Sequence, residues 1–181
     1  MKDQYELELS QWISNEKTAL DLLDAASKLQ LNRSVELVLF RRKLFDKRIT
    51  EIINDHVYVR KFSGIPVTLD ITLSLTQALS KLNLAPSRID LGRLCKEWLE
   101  EGKNFPDYDA FVAEKLKDFI GAERKVLKPR DVVLYGFGRI GRLAARILIE
   151  HAGSGQQLRL KGIVTRERGT DDLEKRASLL S

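Results

Sequence analysis

An apolar run, Val132-Val133-Leu134-Tyr135, ends in Gly136-Phe137-Gly138-Arg139-Ile140-Gly141-Arg142, and a helical pattern begins at once. The spacing G-x-G-x-x-G alone is weak; its place between a strand and a helix gives it weight. Each glycine has a physical task. Gly136 lets the chain turn sharply out of the strand. Gly138 lets the backbone approach a diphosphate where a Cβ would collide, and Gly141 lets the helix pack closely on the strand. Backbone N–H groups at the helix start, with the positive end of its dipole, then favour phosphate charge. A glycine turn without a ligand is the plainer alternative.

A chain of 181 residues holds one substantial domain or two small ones. With 43% hydrophobic and 31% charged residues it has the composition of a globular protein. The net charge of +5 comes from 31 basic and 26 acidic residues that read as well mixed. No basic block or aromatic–basic interleaving stands out, so no nucleic acid partner is indicated. One cysteine, Cys95, rules out an internal disulfide and fits a reducing compartment. The start, Met1 to Glu8, has no apolar signal core, and no apolar run is long enough for a bilayer. The expectation is a cytoplasmic protein with no membrane partner.

The chain reads as a helical region over 1–124 followed by a strand–helix–strand pattern over 125–181. From Tyr5 to Leu29 the residues Leu9, Trp12, Ile13, Leu20, Leu23 and Ala26 recur with helical period. Asn32 or Ser34 is placed to cap a second, longer helix carrying Val35, Val38, Leu39, Leu44, Ile49, Ile52 and Ile53. Arg41, Arg42, Lys43, Lys47 and Arg48 read as its solvated or ion-paired face. Gly64 and Pro66 end it, and Thr68 or Asp70 begins a third helix running to about Leu82. The stretch from Ala85 to Asp90 reads as a turn, with Asp90 capping a helix over Leu91 to Glu101. Gly102 stops that helix. Pro106-Asp107 starts another, carrying Phe111, Val112, Leu116, Phe119 and Ile120, closed by Gly121.

Beyond the charged connector at Glu123 to Arg130, a helix from Arg139 to about His151 is expected to face inward with Ile140, Leu143, Ala144, Ile147 and Leu148. A second strand over Leu158 to Val164 and a helix from Asp171 to about Leu180 follow. The fold class is thus mixed: a mainly α N-terminal region, then an incomplete α/β Rossmann-type βαβ unit. Two parallel strands do not make a stable doubly wound sheet, which normally has more strands and both faces covered. The expectation is a fold interrupted partway.

At the end of the second strand, a dinucleotide fold places an acidic residue on the adenosine ribose. Here Gly162-Ile163-Val164-Thr165-Arg166-Glu167-Arg168 occupies that place. Arg166 in the acidic position favours a 2′-phosphate; a register shifted by one gives the ribose to Glu167 instead, and an ordinary charged turn is the third possibility. Chemistry beyond binding is hard to find. Cys95 has helical spacing with Leu91, Trp98 and Leu99, which makes it a buried small apolar group. Its neighbour Lys96 diverges from it on a helix and does not argue for a thiolate. His56 and His151 stand apart from each other and from the cysteine, so no metal site is indicated.

The stretch Tyr135-Gly136-Phe137-Gly138-Arg139-Ile140-Gly141-Arg142 resembles the opening of the glyceraldehyde-3-phosphate dehydrogenase family, and Phe137, Arg139, Ile140 and Arg142 extend the likeness beyond the glycine pattern. Tyr5-Glu6-Leu7-Glu8-Leu9 and Arg33-Ser34-Val35-Glu36-Leu37-Val38 look like the helical N-terminal extension of a long bacterial branch of that family. The dehydrogenase resemblance covers about Asp131 to Ser181. It implies that Gly136, Phe137, Gly138, Arg139, Ile140 and Gly141 hold the cofactor diphosphate, with NAD or NADP as cofactor. Arg166 falls where NAD-preferring members carry an aspartate, which puts strict NAD preference in doubt. The loop Gly153 to Gln157 looks longer than the family's usual crossover.

The family's nucleophilic cysteine stands in an S-C-T-T-N motif well downstream of the glycine turn, with its histidine later still. Neither is present, and Cys95 precedes the turn and does not take that role. The resemblance implies a full-length enzyme that oxidises an aldehyde phosphate through a thiohemiacetal and a thioester, passes hydride to the nicotinamide, and assembles as a homo-oligomer. This chain, with no catalytic residue assigned, is then its N-terminal fragment and inactive alone. The competing reading is a non-enzymatic helical interaction module with a nucleotide-sensing or structural Rossmann remnant.

Overall fold

A computed structural model of the chain describes residues 2–121, 128–152, 158–166 and 172–178, with backbone alone at 2, 172 and 173. The chain divides into two compact units, Met1–Glu123 and Arg124–Ser181.

In the first unit, α1 (Lys2–Arg33) runs 32 residues with no glycine or proline to break it, with Asp3 in its first turn and Arg33 in its last, the favourable polarity for its dipole. Its C-terminal half packs inward through Ala19, Leu22, Ala26 and Leu29. Leu9, Trp12, Ile13 and Leu20, expected on the packed stripe, are exposed instead. The first dozen residues of the helix meet no core.

The second helix expected from Asn32 or Ser34 does not form over its first half. Ser34, at φ 55, ends α1 in a left-handed conformation. β1 (Val35–Leu39), a two-residue turn at Phe40-Arg41 and β2 (Arg42–Lys43) follow. Both turn residues have positive φ, 44 and 77, although neither is glycine. Such a turn strains L residues and needs support from its surroundings. The Phe40 N–H donates to Asp90 Oδ1 at 3.0 Å. Its ring also lies where a side chain at Gly92 would collide, since an added Cβ would stand 2.4 Å from two ring carbons.

Only then does the helix expected over Ile49 begin, as α2 (Ile49–Ser63), closed by Gly64 at φ 68. α3 (Leu69–Lys81) starts at Thr68, whose hydroxyl accepts from Ile71 N–H. Part of the stretch expected as a turn before Asp90 is β3 (Ser87–Asp90), which pairs parallel with β1, Leu37 opposite Ile89, to give the sheet order β2-β1-β3. The first unit is therefore helix and sheet rather than helix alone. The reason is the partner: β1 is buried at four of its five positions, and its N–H and C=O groups find β3, about fifty residues away.

α4 (Leu91–Glu101) follows without a break. Asp90 caps it, accepting from Gly92 N–H at 2.9 Å and Arg93 N–H at 3.3 Å. α5 (Tyr108–Lys115) begins at Asp107, which accepts from Ala110 N–H at 2.8 Å. It is shorter than expected: Lys117–Phe119 is a 3-10 turn, and Ile120 bridges to Leu84. Leu22, Leu37, Leu39, Leu44, Ile52, Leu75 and Phe111 are among the fully buried side chains of one continuous core. Each such side chain contributes roughly 1.5–3 kcal/mol by leaving water.

The second unit is built from β4 (Arg130–Tyr135), α6 (Arg139–Glu150), β5 (Leu158–Val164) and α7 (Asp172–Ala177). β4 and β5 pair parallel from Arg130 opposite Leu158 to Tyr135 opposite Val164, with a bulge at Val132/Val133. Arg159 closes on Asp131 at 2.8 Å beside its own backbone partner. Among its described residues only Phe137 and Ala145 are buried apolar groups. Ile140, Leu143 and Ile147, expected to face inward, are exposed, Ile140 at 79%, as are Val133 and Val164 on the strands. A two-stranded sheet is too narrow to cover the whole apolar stripe of α6. Ala144, Ala145 and Leu148 are the more covered residues of that helix. The loop Gly153 to Gln157 and most of the connector before Lys128 lie outside the described residues.

Candidate functional site

The glycine turn joins β4 to α6, and its three glycines meet three different conditions. Gly136 has φ +103, a conformation that side chains disfavour, and its N–H donates to Val164 O at 2.7 Å to finish the ladder. Gly138 is extended (φ −77, ψ −163) and stands immediately before α6. A Cβ there would meet nothing within 4 Å. At Gly141 an added Cβ would lie 2.3 Å from Gly136 O and 3.1 Å from its carbonyl carbon. The helix thus approaches the backbone of the turn more closely than any other residue would allow. Phe137, between the first two glycines, turns its ring in and is 5% exposed, which anchors the bend.

Arg142 N–H bonds to Gly138 O at 3.0 Å. The N–H groups of Arg139, Ile140 and Gly141 come before that bond, so the helix itself offers them no carbonyl. Two cavities open at the turn. One, of about 430 Å³, is lined by Gly136, Gly138, Arg139, Ile140, Gly141 and Ala144, together with the end of β4. The other, of about 420 Å³, shares Tyr135, Gly136 and Gly138 and extends to Val164, Thr165, Arg166 and Arg176. Both are of the size of a small-ligand cleft.

The sequence-derived site residues are therefore brought together. Gly136, Phe137, Gly138, Arg139, Ile140, Gly141 and Arg166 each line one or both cavities. Glu167, the alternative ribose partner, lies outside the described residues. Sequence reasoning missed Arg176 and Thr165. Arg176 sits ten residues beyond Arg166 in α7, in no motif, and only the return of the chain brings it to the same cavity. The basic excess is also less evenly spread than the sequence reading held. The first unit carries 18 Lys and Arg against 20 Asp and Glu, and the second 13 against 6. The unit with the glycine turn is the one that attracts anions.

Other chemistry-bearing side chains belong to the packing of the first unit. Cys95 is fully buried, and burial pushes its thiol up to about 11, so it is a poor nucleophile. His56 is buried with Nδ1 2.8 Å from Ile52 O and Nε2 2.9 Å from Thr72 Oγ1. Burial holds its pKa below the usual histidine value, so the ring is neutral, with Nδ1 donating and Nε2 accepting. A cavity of about 340 Å³ between β3, α4 and α5 is lined by charges that pair with one another. Arg93 meets Glu97 at 2.8 Å, and Lys115 meets Glu97 at 3.3 Å. Among the described residues no group of three or more His, Cys, Asp or Glu is placed to hold a metal, and no helix is long and apolar enough to cross a membrane.

No protein-family model matches the chain. A curated relative does: a glyceraldehyde-3-phosphate dehydrogenase-like protein of Pseudomonas aeruginosa (strain UCBPP-PA14), 36% identical over 162 residues. The chain is similar to that dehydrogenase-like protein through both of its units. A match covering 88% of the chain cannot fit within the 123 residues of the first. The same match covers 35% of the relative, so the chain spans about a third of the length of the protein it resembles.

Proposed function

We propose that the second unit binds the diphosphate of NAD or NADP at the glycine turn, as the first part of a Rossmann-type domain in a glyceraldehyde-3-phosphate dehydrogenase-like oxidoreductase. The observation that carries this reading is the contrast between two glycines. Gly141 is needed by the fold, because a Cβ there meets backbone. Gly138 is not, because a Cβ there meets open space. That space lies in front of the first N–H groups of α6, where a diphosphate would sit.

When bound, the nicotinamide supplies a hydride acceptor. The residues of this chain hold and orient the cofactor: the amides of Arg139, Ile140 and Gly141 toward the diphosphate, Arg166 toward the adenosine ribose. The aldehyde phosphate, the thioester chemistry and homo-oligomeric assembly belong to the whole enzyme in this proposal, and no residue described here is assigned to the chemical step. The first unit is the extension preceding the cofactor domain. Similarity to a dehydrogenase-like protein through both units supports this reading over a free-standing interaction module.

The test is calorimetric titration of NAD and NADP into the protein and its Gly138→Ala variant. The variant should keep its thermal midpoint, since no atom is displaced. It should lose affinity by about tenfold or more, as one or two charge-assisted bonds of roughly 1.5–3 kcal/mol each are pushed out of reach. Unchanged affinity in the variant removes the turn from the binding site.

A further inference from the structure

The N-terminal half of α1 carries an apolar stripe that nothing in its own unit covers. Tyr5, Leu9, Trp12, Ile13 and Leu20 recur at helical spacing along one side and are between 44% and 68% exposed. The packed side of the helix begins only at Ala19 and Leu22. We propose that this stripe is a pairing surface for the same helix of a second copy, the two running antiparallel about a two-fold axis near residue 11.

The charges beside the stripe select that occupant and that direction. Glu6 and Lys17 are both exposed and stand eleven residues apart, about three helical turns, so they lie on the same flank. In a parallel pair each would face its own copy, carboxylate against carboxylate and ammonium against ammonium. In an antiparallel pair Glu6 of each chain meets Lys17 of the other, and the contact is made twice. The same register sets Leu9 opposite Ile13 and Trp12 close to the axis. Glu16, the one charged residue within the stripe, then comes opposite Tyr5, whose hydroxyl donates to its carboxylate. One two-fold relation thus satisfies the apolar, hydrogen-bonding and charged positions together, as an isologous contact requires. The size is adequate. The exposed parts of the five apolar side chains amount to roughly 500 Å² per copy. A pair therefore covers about 1,000 Å² before the flanking polar stems are added, which brings it to the lower end of specific interfaces. Two helices at the usual spacing of about 8–10 Å interlock such side chains.

Sedimentation equilibrium of the 181-residue chain tests the pairing. Between about 1 and 100 µM the mass should rise from one chain toward two. Trp12→Asp puts a carboxylate at the centre of the stripe and should weaken association by about tenfold or more, with circular dichroism unchanged. Should that variant not fold, Leu9→Lys decides by the same measurement. Glu6→Lys and Lys17→Glu should each weaken association about fivefold at low salt. An equimolar mixture of these two variants should recover it, because only unlike chains then present opposite charges at both crossings. In the protein as its gene encodes it, Ile13→Cys stands roughly 10 Å from its copy in the proposed pair. A short bis-maleimide should join two chains there, since Cys95 is buried, and Trp12→Asp should abolish the product. A chain that stays monomeric at 100 µM overturns the pairing. So does association that Trp12→Asp leaves intact, or a mixture that recovers nothing. No cross-link in the whole protein would mean that another part of the polypeptide covers the stripe, and overturns it as well.

Discussion

Replacing Gly141 by alanine tests the closest approach in the second unit. The new Cβ would begin 2.3 Å from Gly136 O and 3.1 Å from its carbonyl carbon. A tolerable carbon–oxygen contact is about 3.2 Å, so α6 and the turn must separate by roughly 0.9 Å, and both partners are backbone. Overpacking of this kind costs about 1–3 kcal/mol. Alanine recovers about 1 kcal/mol through its better helix propensity. The net loss is then about 0–2 kcal/mol, centred on the turn. It should also pull on the Gly136 N–H bond to Val164 O, now 2.7 Å, and on the amides at the start of α6. Amide hydrogen exchange read residue by residue is the appropriate assay. Gly136 and the first turn of α6 should exchange faster in the variant, while the amides of β1 and β3 in the other unit stay as they were. Affinity for NAD and NADP should fall alongside. An alanine variant with unchanged exchange at Gly136 and unchanged affinity would show that the helix and turn do not approach this closely. Gly138→Ala, whose Cβ meets no atom, is the matched control for the exchange measurement.

Three further outcomes concern the first unit. His56 is held below its ordinary pKa by burial, so the unfolded chain binds a proton that the folded one resists. Its contribution is fully present above about pH 6.5 and is lost as pH falls toward the depressed value, with a slope of up to about 1.4 kcal/mol per pH unit. Urea unfolding at pH 7.5 and 5.5 should show it, and His56→Phe should flatten the difference. Cys95, at about 11, should react with a thiol reagent at pH 8 roughly a hundredfold more slowly in the native protein than in denaturant; equal rates would mean the thiol is not buried. Gly92→Ala would drive a Cβ to 2.4 Å from the Phe40 ring and force it off the strained turn. A lower thermal midpoint is expected, and an unchanged one would refute the role assigned to that contact.

Capping residues and breakers were the most legible features. Thr68, Asp90 and Asp107 each accept the first-turn N–H groups their type and position suggested, and Gly64 ends its helix in the left-handed conformation. These depend on neighbours a few residues away. The stretch over Val35 to Leu39 was misread because a short apolar run suits a buried strand or a buried helix equally, and its partner β3 is distant in sequence. The exposed faces of α1 and α6 were misread for a related reason. Period identifies a helix and its apolar side, but not whether anything covers that side.

The sequence by itself determined the strand–glycine turn–helix, the sharp turn at Gly136 and the close approach at Gly141, because backbone sterics act over a few consecutive residues. Only the tertiary structure decided that β1 pairs with β3. The same holds for Arg176, which reaches the cavity of Arg166, and for Cys95 and His56, which are shut away from solvent. Each of these depends on chain segments that meet through folding, and no local spacing encodes such a meeting.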